Sequence, residues 1–88
     1  MGVLDEAKFI VAGKRQNDYG SPAENHGCTA TMWSAYLYRR FGLEACITGR
    51  DVCLMNILQK VSRDANSPQH DNAVDIAGYA ENAEACGE

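Results

Sequence analysis

Glycine and proline residues divide this chain of 88 residues into four stretches, each long enough to form a helix. Within these stretches apolar side chains recur every three or four residues, the spacing that places them on one face of a helix. No segment of five or more residues alternates cleanly between apolar and polar side chains, as a half-buried strand does. The pattern predicts an all-α fold in which residues 1–88 form a single domain, a compact antiparallel bundle of about four helices.

The second stretch carries the clearest signal for a helix start. Ser21 can accept a hydrogen bond from a free backbone N–H, a proline follows it, and Glu24 lies three residues after it, so the sequence predicts a capping box. This helix should end just before Gly42. A weaker capping box, with Thr48 and Asp51, is predicted to begin the third helix.

The apolar positions predict which face of each helix is buried. The four predicted helices span residues 3–17, 22–41, 49–65 and 70–85. The second should bury Ala30, Trp33, Leu37 and Phe41, flanked by Met32 and Tyr36. The third should bury Leu54, Ile57, Leu58 and Val61. The fourth should bury Val74, Ala77, Ala80 and Ala83.

Size and charge limit the partners of such a chain. A chain this short buries only about 60–65% of the surface that it exposes when unfolded, so we expect a homo-oligomer, with a monomer as the alternative. The net charge of −4 argues against nucleic acid as a partner, because binding many phosphates needs a basic face. We expect no membrane span, because no run approaches about 20 apolar residues, and no signal peptide, because acids interrupt the apolar start.

The four cysteines are separated by 18, 7 and 33 residues. Zinc sites typically use closer pairs, such as C-x2-C, and a chain without a secretory signal keeps its thiols reduced. We therefore expect the cysteines to be small core residues. Neither His26 nor His70 has a metal-binding spacing, and no serine or cysteine has the setting of a nucleophile. No glycine-rich loop resembles a nucleotide-binding fingerprint.

Two clusters of residues could bind a ligand. The first combines Lys60 and Arg63 with Asp71 and Asp75, near a turn that would bring antiparallel helices together; Tyr79 lies on the same side of the fourth helix as the two aspartates. The simpler interpretation is a set of salt bridges that joins two helices. The functional interpretation is an anion pocket, in which the two bases hold a phosphate or carboxylate. The two aspartates could instead hold Mg²⁺.

The second cluster lies where the first predicted helix ends. Arg15, Asp18 and Tyr19 place a base, an acid and an aromatic ring beside a glycine. Tyr19 offers a flat face on which a base could stack. The alternative is local turn chemistry, with Asp18 closing an Asx turn.

Nearly the whole chain, from about residue 4 to residue 83, resembles an uncharacterised family of small phage and prophage proteins. The most specific motifs are D-Y-G at residues 18–20, K-x-x-R at 60–63 and D-x-x-V-D-I-A-G-Y-A at 71–80. The resemblance implies a helical fold and a phage or prophage origin, hence the cytoplasm of a bacterial host. It implies no established activity.

A more distant resemblance is to the MazG-like all-α nucleoside triphosphate pyrophosphohydrolases, which bind Mg²⁺ through E-x-x-E and E-x-x-D motifs. Here Glu24 is not followed by an acid three residues later, and bases occupy residues 60–63. Of the acidic pairs found in those enzymes, this sequence retains only one, Asp71 and Asp75. The bases suggest direct contact with phosphate, so the departure favours binding over hydrolysis.

These observations lead to three hypotheses. The first is a non-catalytic protein that binds a nucleotide or another phosphate-bearing small molecule, with no cofactor, such as one that sequesters a nucleotide signal of host antiviral defence. The second is a structural or protein-interaction module whose polar motifs are salt bridges. The third is a Mg²⁺-dependent nucleotide pyrophosphohydrolase with Asp71 and Asp75 as metal ligands.

Overall fold

A computed structural model describes residues 21–87, which form three helices: α1 (Pro22–Phe41), α2 (Gly49–Asn66) and α3 (His70–Cys86). Within these residues there is no strand, which confirms the all-α class. The helix predicted at residues 3–17 lies outside the described residues, so the fourth helix of the bundle stays a prediction. None of the three described helices is long and apolar enough to cross a membrane.

The ends of α1 follow from local backbone chemistry. The Ser21 hydroxyl accepts a hydrogen bond from the Glu24 backbone N–H at 3.2 Å, so the described structure contains one half of the predicted box. At the other end Gly42 has a φ of 67° and its N–H donates to the Tyr38 carbonyl at 2.8 Å. Glycine adopts this left-handed conformation without the steric cost that a Cβ would add, which is why the helix ends there.

The capping box that begins α2 is complete. The Asp51 N–H donates to the Thr48 hydroxyl at 3.1 Å, and the Thr48 N–H donates to the Asp51 carboxylate at 3.0 Å. The loop before it is tied to α1 by Ser34, whose hydroxyl accepts from the Ile47 N–H at 2.9 Å and donates to the Ala30 carbonyl at 2.8 Å. These bonds position α2 against α1.

α2 and α3 form a helical hairpin with the most extensive contact among the three described helices, and α1 packs against both helices. Gln69 precedes α3 but makes no side-chain capping bond. Asp64, near the end of α2, supplies the acceptor instead. Its carboxylate accepts from the Gln69 N–H at 3.1 Å and from the Asn72 side-chain amide at 3.3 Å.

The buried faces of the three helices differ from the predicted ones. Among residues 21–87 the buried apolar residues are Ala30, Val52, Cys53 and Ala83. The prediction was therefore right for Ala30 and Ala83. It was wrong for a set of large side chains that are exposed: Met32, Tyr36, Phe41, Leu54, Leu58, Val61 and Val74. Ala77 and Ala80 are exposed as well, whereas Trp33, Leu37 and Ile57 are half-buried.

The physical reason for this difference is that small residues line the place where α2 and α3 meet. Val52, Cys53 and Ala83 allow the helices to approach closely, and polar pairs occupy the rest of the interface. The periodic apolar stripe of α2 consequently lies on the outside. We call Leu54, Met55, Leu58 and Val61 the outer apolar face.

Candidate functional site

An ion pair joins α2 to α3 at the predicted ligand site. The Lys60 ammonium lies 2.8 Å from the Asp75 carboxylate, and the two side chains are 15% and 43% exposed. Each residue lies on the inward side of its helix, so the antiparallel hairpin brings the pair together. Because Lys60 is largely withdrawn from water, most of its charge must be stabilised by Asp75.

The other predicted site residues are distributed around this pair. Arg63 and Asp71 are exposed, and neither makes an ion pair within residues 21–87. Tyr79 is half-buried, one turn of α3 beyond Asp75. The remaining three predicted residues, Arg15, Asp18 and Tyr19, lie outside the described residues.

His26 is a buried polar residue at the interface of α1 and α3. The Asn82 side-chain amide can donate to its Nε2 atom, at 3.4 Å, and its ring meets Tyr79 edge-on with 6.1 Å between centroids. Burial lowers the pKa of His26 from its usual 6.5, because a cation is poorly solvated there. His26 was not predicted to be buried, although it lies four residues before Ala30 and therefore on the same inward face of α1.

These side chains form a continuous line along the inward face of α3, at spacings of three and four residues. We call this line the polar seam. Its members on α3 are Asn72, Asp75, Tyr79 and Asn82, and they meet Asp64 and Lys60 of α2 and His26 of α1. A largely polar set of side chains therefore occupies the interface of three helices, while large apolar side chains face solvent.

An apolar cavity of about 590 Å³ opens elsewhere, between α1, the following loop and α2. It is lined by Met32, Trp33, Tyr36, Leu37, Ile47 and Met55. None of these residues belongs to the polar seam. The walls offer aromatic rings and methionine side chains, which pack against apolar groups and supply little hydrogen bonding.

Metal-binding side chains are spread out in the part of the chain that the structure describes. Within residues 21–87, no group of three or more histidine, cysteine, aspartate or glutamate side chains could hold a metal ion. Cys28 and Cys46 are exposed free thiols, whereas Cys53 is buried and Cys86 is half-buried. In the seam, Lys60 and Asp75 present an ammonium and a carboxylate that pair with each other.

Within residues 21–87, fold and site together define the class of protein: a small helical protein with polar residues at its helix interfaces and several large apolar side chains exposed. The chain belongs to the family DUF6378, a domain of unknown function, whose family model matches residues 2–87. The family-level prediction of a small phage protein agrees with its relatives, which come from mycobacteriophages. The likeness to MazG-like enzymes stays a prediction.

Two relatives illustrate the match. The chain is 44% identical to the Gene 55 protein of Mycobacterium phage L5 over 81 residues, which cover 91% of this chain and 49% of that protein. It is 35% identical to the Gene 55 protein of Mycobacterium phage D29 over 79 residues, which cover 89% and 48%. The chain thus spans about half the length of these relatives. No solved structure matches.

Proposed function

We propose that this protein binds a nucleotide or another phosphate-bearing small molecule at the polar seam, without turnover. The observation that carries the proposal is the orientation of the side chains. Within residues 21–87 few apolar side chains are buried, yet Lys60 and His26 are withdrawn from water at helix interfaces, and Asp75 pairs with Lys60. Burying such groups costs free energy, so their placement favours a binding role over packing alone.

The chemistry of the seam suits an anion with hydroxyl groups. Lys60 and the exposed Arg63, one turn further along α2, would contact phosphate oxygens. Asp75 would orient Lys60 or accept a hydrogen bond from a ligand hydroxyl. Tyr79 would supply an aromatic surface. Under this proposal Arg15, Asp18, Tyr19 and Asp71 complete the site.

The same geometry favours binding over metal-dependent hydrolysis. Asp75 is one of the two carboxylates that a Mg²⁺ ion would need, and it already contacts the Lys60 ammonium. A second cation at Asp75 would be repelled by that charge. Pyrophosphate release from nucleoside triphosphates that disappears in Asp75→Ala would instead establish the pyrophosphohydrolase alternative.

The phage relatives give the proposal a biological setting. A phage protein that binds a nucleotide without turning it over can sequester that molecule from its host. We therefore include nucleotide signals of antiviral defence among the ligands to be tested. Such a role places the protein in the cytoplasm of the bacterial host.

Isothermal titration against nucleoside mono-, di- and triphosphates and cyclic nucleotides tests the proposal. We expect a dissociation constant below about 100 µM, or roughly −5.5 kcal/mol, for at least one class. The double variant Lys60→Met/Asp75→Leu should abolish this binding while remaining folded, because apolar side chains of similar volume can replace a buried ion pair.

A matched control removes one cation and one anion elsewhere. Arg39 and Glu44 are both exposed and lie outside the seam. The variant Arg39→Met/Glu44→Leu should retain the affinity of the unmodified protein. If no nucleotide binds below about 100 µM, or if both double variants lose affinity equally, the proposal is wrong.

A structural or protein-interaction module is the second candidate, and one observation favours it. The groups of the seam already satisfy one another: Lys60 is paired with Asp75, and Asp64 accepts from Gln69 and Asn72. Under this candidate the seam joins helices and needs no ligand. Lys60→Met/Asp75→Leu would then retain its stability, and the unmodified protein would bind no nucleotide.

A further inference from the structure

The apolar cavity beside α1 presents large side chains to solvent. Met32 and Tyr36 of α1 are 65% and 63% exposed, and Met55 of α2 is 45% exposed. Ile47, which forms another wall, is held against α1 because its N–H donates to the Ser34 hydroxyl at 2.9 Å. Covering apolar surface of this kind is favourable, so the cavity is suited to an apolar partner.

The chemistry of the lining favours a helix face over a small molecule. Pockets for small molecules combine apolar walls with a few convergent polar groups that orient the ligand. Among the described residues that line this cavity, the strong side-chain hydrogen-bonding groups are the Trp33 indole N–H and the Tyr36 hydroxyl. Grooves of methionine and aromatic side chains instead accept amphipathic helices, whose apolar residues recur every three or four positions.

The first segment of the chain has the sequence pattern of such a helix. Residues 3–17, which lie outside the described residues, carry apolar residues at the spacing of one helix face: Leu4, Ala7, Ile10 and Val11. We propose that this segment packs as a helix antiparallel to α1, with its apolar face in the cavity. The occupant of the cavity is then a part of the same chain.

The length of the segment matches the distance to the cavity. A helix rises about 1.5 Å per residue, so α1 reaches Trp33, eleven residues after Pro22, at about 17 Å from its start. A helix that folds back from residue 17 reaches Ala7 after about 15 Å. Residues 18–21 are enough for the turn, because connections between helices commonly use about two to eight residues. This register places Ala7 beside Trp33.

The charges favour the antiparallel direction. Asp5 and Glu6 lie near the start of the segment, and Lys14 and Arg15 lie near its end. α1 ends in two exposed arginines, at residues 39–40. Antiparallel packing brings the acids toward these bases, whereas parallel packing would bring like charges together.

The short connection favours the same chain over a second copy as the occupant. A short turn keeps the segment next to α1 at an effective concentration that a free molecule reaches only at roughly millimolar protein. Leu54, Leu58 and Val61 of the outer apolar face do not line the cavity. They stay available for self-association when the cavity is filled.

Trp33 is the single tryptophan of the chain, so its fluorescence reports on the cavity. The test compares the full chain with Ala7→Asp, which puts a charge into the proposed contact and should favour the undocked state by about tenfold or more. Trp33 emission should then shift to longer wavelength, and acrylamide should quench it more strongly. Ala12→Asp is the matched control, because Ala12 lies about 140° around the helix from Ala7 and should leave both readouts unchanged. Circular dichroism checks that both variants stay helical.

A second measurement needs no variant. Nuclear Overhauser contacts between the Ala7 methyl group and the Trp33 ring should appear in the unmodified protein. In a mixture of isotope-labelled and unlabelled chains, contacts seen only between different molecules would assign the cavity to a second copy and overturn the proposal. Absence of the contact, or equal quenching in the unmodified protein and Ala7→Asp, would also overturn it. Neither readout depends on whether a nucleotide binds.

Discussion

The two residues of the Lys60–Asp75 ion pair differ in how much the stability of their charges depends on the partner. Lys60 is 15% exposed, whereas Asp75 is 43% exposed and keeps contact with water. A charge in water can lose its partner at little cost, but a charge withdrawn from water cannot. The Lys60–Asp75 pair is therefore asymmetric.

Removing Asp75 should consequently destabilise the protein more than removing Lys60. We expect Asp75→Asn to lower the free energy of unfolding by about 1–2 kcal/mol, because it leaves the Lys60 ammonium with a neutral partner. Lys60→Met should cost less than about 1 kcal/mol. Urea denaturation of the two variants measures both values, and equal losses would contradict the asymmetry.

His26 makes stability depend on pH. Its pKa is lowered in the folded protein by burial, so the unfolded chain binds a proton that the folded chain does not. The free energy of unfolding should therefore fall as the pH is lowered through 6.5, the usual value, with a contribution of at most about 1.4 kcal/mol per pH unit. Below the folded pKa both states are protonated and this contribution stops growing.

Denaturation at a series of pH values between about 5 and 8 tests the His26 prediction. His26→Gln should remove this part of the slope, since glutamine does not titrate. His70→Gln is the matched control, because His70 is exposed at the start of α3. The prediction fails if the two variants have the same pH dependence as the unmodified protein.

At the scale of elements, the α2–α3 turn depends on one carboxylate. α3 has no side-chain cap of its own, and Asp64 accepts hydrogen bonds from Gln69 and Asn72 across the turn. Asn72 is buried, so its amide would lack a partner without Asp64. Asp64 therefore ties the start of α3 to the end of α2, although it does not cap the free backbone N–H groups of α3.

We expect Asp64→Ala to lower the free energy of unfolding by about 1–2 kcal/mol, the combined effect of a lost turn hydrogen bond and an unsatisfied buried amide. Glu81→Ala, which removes an exposed carboxylate from α3, should change it by less than about 0.5 kcal/mol. Thermal or urea unfolding compares the two. A similar effect of both substitutions would show that Asp64 does not stabilise the turn between α2 and α3.

At the scale of the whole molecule, the exposed apolar side chains of residues 21–87 form the surface best suited to contact another protein molecule. The outer apolar face of α2 exposes large side chains, including Leu58 at 66%. The cavity beside α1 adds more apolar surface through Met32 and Tyr36. Exposed apolar patches of this kind can be interaction sites. The homo-oligomer expected from chain length stays a prediction, and this face is where it can be tested.

Leu58→Lys should weaken self-association by about tenfold to a hundredfold, because a fully buried leucine contributes about 1.5–3 kcal/mol. Size-exclusion chromatography with light scattering measures the change, and circular dichroism confirms the fold. Gln59→Lys adds the same charge to the next, exposed position of α2 and should leave association unchanged. A protein that stays monomeric at high concentration would contradict the prediction.

The sequence by itself determined the helical class and the ends of the helices. Ser21, Gly42 and the Thr48–Asp51 box act through bonds between residues three or four positions apart, so local chemistry is enough to predict them. The pairing of Lys60 with Asp75 also follows from a short turn between antiparallel helices.

Only the tertiary structure decided which helix faces are inside. A one-sided apolar stripe predicts that Leu54, Leu58 and Val61 are buried against another surface. It does not say whether that surface is a neighbouring helix of the same chain. Close approach of the small residues Cys53 and Ala83 turned α2 the other way and brought Lys60 inward. That choice depends on contacts between residues distant in sequence, and local periodicity carries no information about them.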